Sequence, residues 1–471
     1  MKLPENENLP RITRRKFIAA SAVVAGAMFI PSYVLGRTGQ SPNNKLNIAC
    51  IGVGGKGRGN LRGVGGMYWH NETDDEERTV KVLKGSGENI VALCDVDSNN
   101  LDSAASLYPK AKTFTDFRKM LETMDKTIDA VVISTPDHTH FPAAMMAIMM
   151  GKHVYVEKPM THTVWEARQL TLAARKYKVA TQMGNQGHAG QGIRRIKEWL
   201  NAGVIGPVHT VDFWTDRPIW PQGIERPEEA EKVPKHLDWE LWLGPAPKRP
   251  YNSAYAPFKW RGWWDFGCGA LGDMGCHVMD AAWWGLELGA PLSVEAATTP
   301  VNDETGPKSS VITYQFPVRG DTPPVTATWY DGDMQVPLPP ELEPGRRIDK
   351  SGGTFIYGEK GIIMCGTYAG SPRIIPETKM KKLRSSLPPK TIPKSPGVYK
   401  EWIEACKGGK PAGSNFDVAG PFTETVLLGN VAIRARRKIE WDSKNLKITN
   451  LPEANKYIRS SYRKGWGVKD G

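Results

Sequence analysis

The chain has 471 residues, of which 40% are hydrophobic, 24% charged and 9% aromatic. This balance excludes a disordered or fibrous protein, and the length allows two or three domains. The formal charge is +12, and much of it sits in Arg373–Lys410, where ten basic side chains face three acidic ones. A Pro- and Lys-rich surface loop explains that stretch better than a nucleic-acid site does. Six cysteines, at positions 50, 94, 268, 276, 365 and 406, do not make a dense disulfide framework.

At the N-terminus, Arg14 and Arg15 precede an apolar run from Phe17 to Ile30 that stops at Pro31. A helix of that length spans about 21 Å, short of a bilayer core of about 30 Å. A twin-arginine pair before a mildly apolar run resembles a Tat export signal; the alternative is a short amphipathic anchor. No cysteine follows the run until Cys50, so a lipid anchor is not expected. Residues 1–40 are therefore read as signal and linker. The processed protein is expected in the periplasm, not inserted in the membrane, and carried there already folded and loaded with its cofactor.

From Lys45 onward, strands alternate with helices. Asn47–Ile51 reads as a buried parallel strand leading into Gly52-Val53-Gly54-Gly55-Lys56-Gly57. Asn89–Cys94 is a second strand, ending at Asp95. Phe114–Met124 reads as a helix, Asp129–Ser134 as a strand, Pro142–Met150 as a helix and His153–Val156 as a strand. Val164–Lys176 is then a helix and Val179–Met183 a strand. This order predicts a doubly wound parallel sheet over residues 41–184. Residues 185–471 are expected to form a second α/β domain on a mostly antiparallel open sheet, with strands at 310–316, 325–330 and 353–357. Nine of the 16 tryptophans fall between Trp214 and Trp284; most are expected in the core, although some could stack on sugar faces. A long helical pattern at 417–437 is a candidate to pack back on the first domain.

Three clusters carry chemistry. Gly52-x-Gly54-x-x-Gly57 follows a strand and opens a helix, where glycines permit a tight turn and the helix N-terminus attracts a pyrophosphate. Asp95 suits a ribose 2′-hydroxyl and would repel a 2′-phosphate, favouring NAD over NADP. It lies 43 residues after Gly52, against about 20 in the usual unit; a polar insertion around His70–Arg78 explains the excess. Glu157-Lys158-Pro159 follows the strand His153–Val156, and Thr135–His140 follows the preceding one, so Thr135, His140, Glu157 and Lys158 are candidate cofactor contacts at the sheet's carboxyl edge. The competing reading of Glu157 and Lys158 is a surface ion pair. In Gly269–Asp280, a helix would place Asp273 and His277 on one face, where a carboxylate can orient an imidazole; the bland alternative is an Asp cap followed by a buried His. Cys268, Cys276 and His277 match no standard zinc spacing, so no metal is expected.

The glycine turn, the Glu-Lys-Pro and the Asp-x-x-x-His helix start, in that order, resemble the glucose–fructose oxidoreductase/inositol dehydrogenase (Gfo/Idh/MocA) family over nearly the whole chain after the signal. The resemblance implies an NAD-binding Rossmann domain with a C-terminal α/β domain that commonly builds dimers or tetramers. It also implies a carbohydrate substrate, with Lys158, Asp273 and His277 catalytic and Gly52, Gly54, Gly57 and Asp95 on the cofactor. Asp137 stands where the family often has Asn, which leaves any cofactor contact there open. The Gly-Asp-Met-Gly-Cys-His run is unlike the Tyr- and Pro-bearing histidine motif of the family's NAD-dependent α-N-acetylgalactosaminidases. Asn185, Gln186 and His188, just past the last Rossmann strand, are candidate substrate contacts. The expectation is hydride transfer from a sugar hydroxyl to tightly held NAD, with 3-keto-glycoside chemistry as its specific form. A closed-cycle glycosidase or epimerase, and a non-catalytic sugar sensor, are the alternatives.

Overall fold

The computed structural model describes residues 45–69, 80–82 and 87–467. The twin-arginine run and the polar insertion His70–Arg78 lie outside the described residues. Strands β1 (Asn47–Ile51), β4 (Asn89–Cys94), β5 (Lys112–Phe114), β6 (Ala130–Ile133), β7 (His153–Val156) and β8 (Thr181–Met183) form a parallel sheet in the order β5-β4-β1-β6-β7-β8. A short hairpin of β2 (Met67–Trp69) and β3 (Val80–Val82) is inserted between β1 and β4. The central strands β1 and β6 are buried along almost their whole length, as a sheet covered on both faces requires.

The helices of this half are α1 (Gly55–Gly65), α2 (Ser98–Leu107), α3 (Phe117–Met124), α4 (Asp137–Met149) and α5 (Val164–Tyr177). Local chemistry sets their starts: Asp97 and Asp116 cap α2 and α3 through their side chains, and Thr163 with Glu166 forms a capping box on α5. Two expectations are corrected here. Phe114 ends a strand, and the helix starts only at Phe117, after the Asp116 cap. Helix α4 begins at Asp137, with Pro142 inside it. Thr135–His140 is thus a short bend after β6 followed by a first helical turn. The strand β5 and the helix α2 carried too short or too polar a pattern to be read.

The second half contributes a nine-stranded sheet. Its members are β9 (Val208–Trp214), β10 (Ser293–Thr298), β11 (Ser310–Phe316), β12 (Val325–Asp331), β13 (Gly353–Gly358), β14 (Gly361–Gly366), β15 (Gly370–Ile375), β16 (Ile439–Asp442) and β17 (Lys447–Ile448). The order is β15-β14-β13-β9-β12-β11-β10-β16-β17, and only β9 and β12 pair in parallel. Strands β11 and β12 alternate buried and partly exposed positions, so one face is fully buried and the other is partly open. On the far face, Trp214 and Phe355 are covered by Val336 and Leu342. Helices α6 (Gln191–Asn201), α7 (Trp239–Leu243), α8 (Gly269–Val278), α9 (Asp280–Gly285), α10 (Glu377–Leu383), α11 (Val398–Cys406) and α12 (Phe416–Ala435) complete the described fold. No described helix is long and apolar enough to cross a membrane.

The last two helices return to the first sheet. In α11, Trp402 is buried among Ile48, Cys50, Val132 and Tyr155. The edge strand β8 is tied to the chain before α12: Met183 N–H donates to Ser414 O (2.9 Å), and Phe416 N–H donates to the Thr181 hydroxyl (3.0 Å). Helix α12 lies between the sheets. On one side Arg168 of α5 makes two 2.7 Å hydrogen bonds to the Glu424 carboxylate. On the other, Gly429 meets Tyr314 so closely that a Cβ there would sit 2.3 Å from its hydroxyl. Removing Arg168 strands a buried carboxylate, a defect that typically costs about 3–5 kcal/mol. Because Arg168 keeps some solvent contact, Arg168→Ala is expected to lower unfolding stability by on the order of 3 kcal/mol. Denaturant unfolding checks this, with Arg168→Lys retaining part of the loss.

Candidate active site

In the turn between β1 and α1, the three motif glycines have no room for a side chain. Gly52 has φ +75°, and a Cβ there would lie 2.7 Å from Ser134 O. A Cβ on Gly57 would lie 1.9 Å from Gly52 O, and one on Gly54 would strike Asn100. The α1 N-terminus therefore stands bare at the carboxyl edge of the sheet, and its first N–H groups have no partners within the helix. Asp95, at the end of β4, accepts from Val53 N–H (2.8 Å) and Asp97 N–H (2.9 Å). Burial pushes its carboxyl up, and these backbone donors oppose the shift.

One strand further along, the Thr135 hydroxyl is buried without a partner. His140 does not face outward from this edge. Its ring nitrogens lie 2.9 Å from Pro159 O and 2.8 Å from Thr135 O, so it braces the two loops together, which corrects its expected place on the cofactor. His138 is held likewise between Phe266 O and Trp242 O, and burial lowers it to about 3.

Glu157 and Lys158, adjacent in sequence, point to different partners, which removes the surface ion-pair reading. The buried Glu157 carboxylate accepts from Asn60 Nδ2 (2.9 Å) and lies 3.6 Å from Lys56 Nζ, both on α1. Lys56 Nζ also lies 2.8 Å from the Gln186 amide, which satisfies its partners when its oxygen is turned to accept from Lys56. Lys158 instead crosses to α8, where Nζ donates to both Asp273 Oδ1 and Asp273 O at 2.7 Å. Arg261 Nε lies 3.3 Å from the same carboxylate and Arg217 Nε 3.8 Å. Burial alone would raise the Asp273 carboxyl, but Lys158 and Arg261 hold it well below the usual carboxylate range. Asp137 accepts from Cys268 N–H (3.0 Å) and pairs with Arg261 (3.4 Å). The position where the resemblance left a cofactor contact open thus holds the second half of the chain.

One turn after Asp273, His277 is 4% exposed, and its Nδ1 has no hydrogen-bond partner. Burial, reinforced by Lys158, lowers its pKa well below 6.5. The helical spacing holds, but Asp273 is spent on Lys158 and makes no hydrogen bond to His277 among those described. The carboxylate that does orient a histidine is Asp280 at the start of α9, which sequence reasoning quoted but gave no role. It pairs with His188 Nδ1 (3.0 and 3.1 Å) and accepts from Asn185 Nδ2 (3.1 Å). Burial would lower His188, but Asp280 outweighs it and raises the ring. Cys268 and Cys276 are buried thiols; burial pushes Cys276 up to about 12.

Residues 46–185 match the oxidoreductase family with an NAD-binding Rossmann fold (Gfo/Idh/MocA), and residues 192–319 match that family's C-terminal alpha/beta domain. The chain belongs to the Gfo/Idh/MocA oxidoreductase family. Among its relatives, the uncharacterized oxidoreductase YdgJ of Escherichia coli is 37% identical over 93 residues, 20% of this chain and 27% of that protein. The inositol 2-dehydrogenase/D-chiro-inositol 3-dehydrogenase of Lacticaseibacillus casei is 28% identical over 163 residues, 34% and 42% of the two chains. The matched stretch therefore spans less than half of either curated relative. Among solved structures, the WlbA dehydrogenase of Bordetella pertussis, in complex with NADH and UDP-GlcNAcA, aligns with a TM-score of 0.57 at 18% identity, covering 84% of this chain and 99% of that one. At that identity the likeness is one of fold.

NAD fits the residues of this Gfo/Idh/MocA chain. The three motif glycines let the turn close tightly on Ser134 and Asn100, a helix start without a side-chain cap follows, and Asp95 accepts from Val53 N–H in the turn. The buried Thr135 hydroxyl, Asn185 Oδ1 and His277 Nδ1 lack partners within the protein, as buried polar groups awaiting a ligand do. Lys158 is held at Asp273 with two of its three protons used, leaving one donor. Arg217 and Arg261 were not singled out from sequence, because a basic residue in an irregular, Trp-rich stretch carries no spacing signal. The opposed shifts of the two buried histidines are open to test by ring NMR titration of the folded protein. His277 is expected to stay neutral to well below pH 6.5, whereas His188 stays protonated above it and falls on Asp280→Asn.

Proposed function

We propose that this protein oxidises a ring hydroxyl of a sugar or sugar-like polyol with NAD. The observation that carries the reading is the meeting of Lys158, from the end of a cofactor-sheet strand, with Asp273 (2.7 Å), one helical turn from the buried, unpartnered His277. Bound NAD supplies a hydride acceptor, so oxidising the alcohol carbon leaves the hydroxyl proton for the protein to take. His277 is suited to take it, because burial and Lys158 keep the ring neutral and ready to accept. The remaining Lys158 proton holds the reacting oxygen and stabilises the charge that builds there. Asp273, ionised by its cationic neighbours, fixes the Lys158 ammonium. Asn185, Gln186 and His188 flank the site as candidate hydroxyl partners, and His188 is oriented by Asp280. The inositol dehydrogenase relative and the UDP-GlcNAcA bound to WlbA support a sugar-like substrate. Lys158→Ala and His277→Ala are expected to retain NAD affinity and lose roughly 10²–10⁴-fold in turnover. A screen of monosaccharides, disaccharides and inositols by nicotinamide absorbance measures this, and a loss of only about twofold at both positions would reject the roles.

The twin-arginine run supports a second, narrower reading, in which the enzyme works in the periplasm on a cofactor it never releases. An exported enzyme without a nicotinamide pool must close its redox cycle in place. It can do so by re-reducing the same substrate after chemistry beside a transient ketone, or by reducing a second sugar. A ketone at carbon 3 acidifies the hydrogen at carbon 2, which opens elimination at carbon 1 or epimerisation. Purified protein incubated with glycosides and no added nicotinamide is then expected to turn over many times by mass spectrometry. Strict dependence on fresh NAD, with NADH released in proportion, would overturn the closed cycle. Export is tested separately: replacing Arg14 and Arg15 by Lys is expected to leave the precursor in the cytoplasm, and undiminished periplasmic protein would overturn it.

A further inference from the structure

The segment Thr367–Ser371, which leads from β14 into the start of β15, is unusual in its backbone. Tyr368, Ala369 and Ser371 all have positive φ, at +61°, +56° and +46°. None of them is glycine, and side-chain-bearing residues pay to adopt this region, so a run of them persists only where the surroundings enforce it. The surroundings here are the candidate site. Tyr368 packs its ring against His277 at 4.6 Å between centroids, inclined at 66°. On its other side the chain presses on the segment that carries Asn185 and His188. A Cβ on Gly187 would lie 2.9 Å from Tyr368 Cα, and one on Gly192 would lie 1.9 Å from Ala369 O. Two glycines thus make a seat for the strained turn, while Ala369 is buried at 3% and Tyr368 remains 48% exposed. A large ring held half in solvent, at a conformational cost, against the ring proposed to take the substrate proton is placed for a ligand more than for the core.

We propose that Tyr368 is the specificity-determining wall of the substrate site, with its edge screening His277 from water and its open face receiving the apolar C–H face of a sugar ring. Aromatic rings and sugar rings associate this way because the C–H groups on one sugar face are apolar and meet the negative face of the π-system. The proposal rests on the oxidoreductase reading for its ligand, but the screening of His277 is independent of it. The charged groups that act on His277 are Lys158, Asp273, Lys56 and Arg261, and the neighbouring His188–Asp280 pair is internally matched. A change confined to Tyr368 alters none of these, so any movement of the His277 titration reports water access.

The test uses the full-length, NAD-loaded protein with Tyr368→Phe and Tyr368→Gly, and methyl β-D-glucopyranoside, glucose and myo-inositol as probes. Glycine accepts φ +61° freely, so Tyr368→Gly is expected to melt no lower than the parent. Its KM for the best probe is expected to rise tenfold or more, with kcat changed by less than about threefold. Its His277 ring is expected to titrate at higher pH, nearer 6.5. Tyr368→Phe keeps the ring and is expected to match the parent in KM and in the His277 titration. A Tyr368→Gly protein with parental KM and parental His277 titration would overturn the proposal. If the parent oxidises none of the probes, the oxidoreductase reading on these sugars fails, and the His277 titration alone decides: unchanged in Tyr368→Gly overturns the wall, raised supports it.

Discussion

The bond from Lys158 to Asp273 joins the two halves of this chain at the point where their chemistry would meet. Lys158 leaves the end of a strand in the parallel sheet, and Asp273 rides a helix that packs on the antiparallel one. Each is largely removed from water, with about 13% of either side chain exposed. A lysine in that setting needs a carboxylate, and a carboxylate there needs cations. Arg261, itself paired with Asp137 of the first half, supplies the second cation. Position and charge are therefore set together, because moving either sheet would leave two buried charges unmatched.

The two buried histidines show how neighbours divide one residue type into opposite states. His277 lies beside Lys158 and its Nδ1 finds no hydrogen-bond partner, so burial, reinforced by Lys158, outweighs the pull of Asp273 and the ring sheds its proton. His188 is equally buried, but Asp280 faces it, and the ring holds its proton. The site thus carries a ready acceptor and a fixed donor on adjoining elements without a metal-binding cluster among the described residues.

The parallel sheet was legible because its buried strands are continuous apolar runs and its turns are punctuated by glycine. Gly52, Gly54 and Gly57 could be read as a cradle, since the glycines have a physical reason to recur at that spacing. The Asp273–His277 spacing was legible as a shared helix face, but not which partner Asp273 would take. That partner, Lys158, lies 115 residues away and is brought in by tertiary packing. The same limit explains His140, whose neighbours Thr135 and Pro159 meet it only when two strand ends lie side by side. Arg217, Arg261 and Tyr368 sit in irregular segments, where no periodicity marks a functional face.

The return of α11 and α12 to the first sheet bears on the order in which this chain can assemble. Residues 47–183 emerge first during synthesis, yet one face of their sheet is covered by Trp402 and their last strand is tied to Ser414 and Phe416. Until those residues are made, the early half keeps an uncovered apolar face and an untied edge. Contacts so distant in sequence close slowly, because a long loop must be ordered before they form. The sheet that carries the cofactor cradle is therefore fully covered only once the last helices have been made.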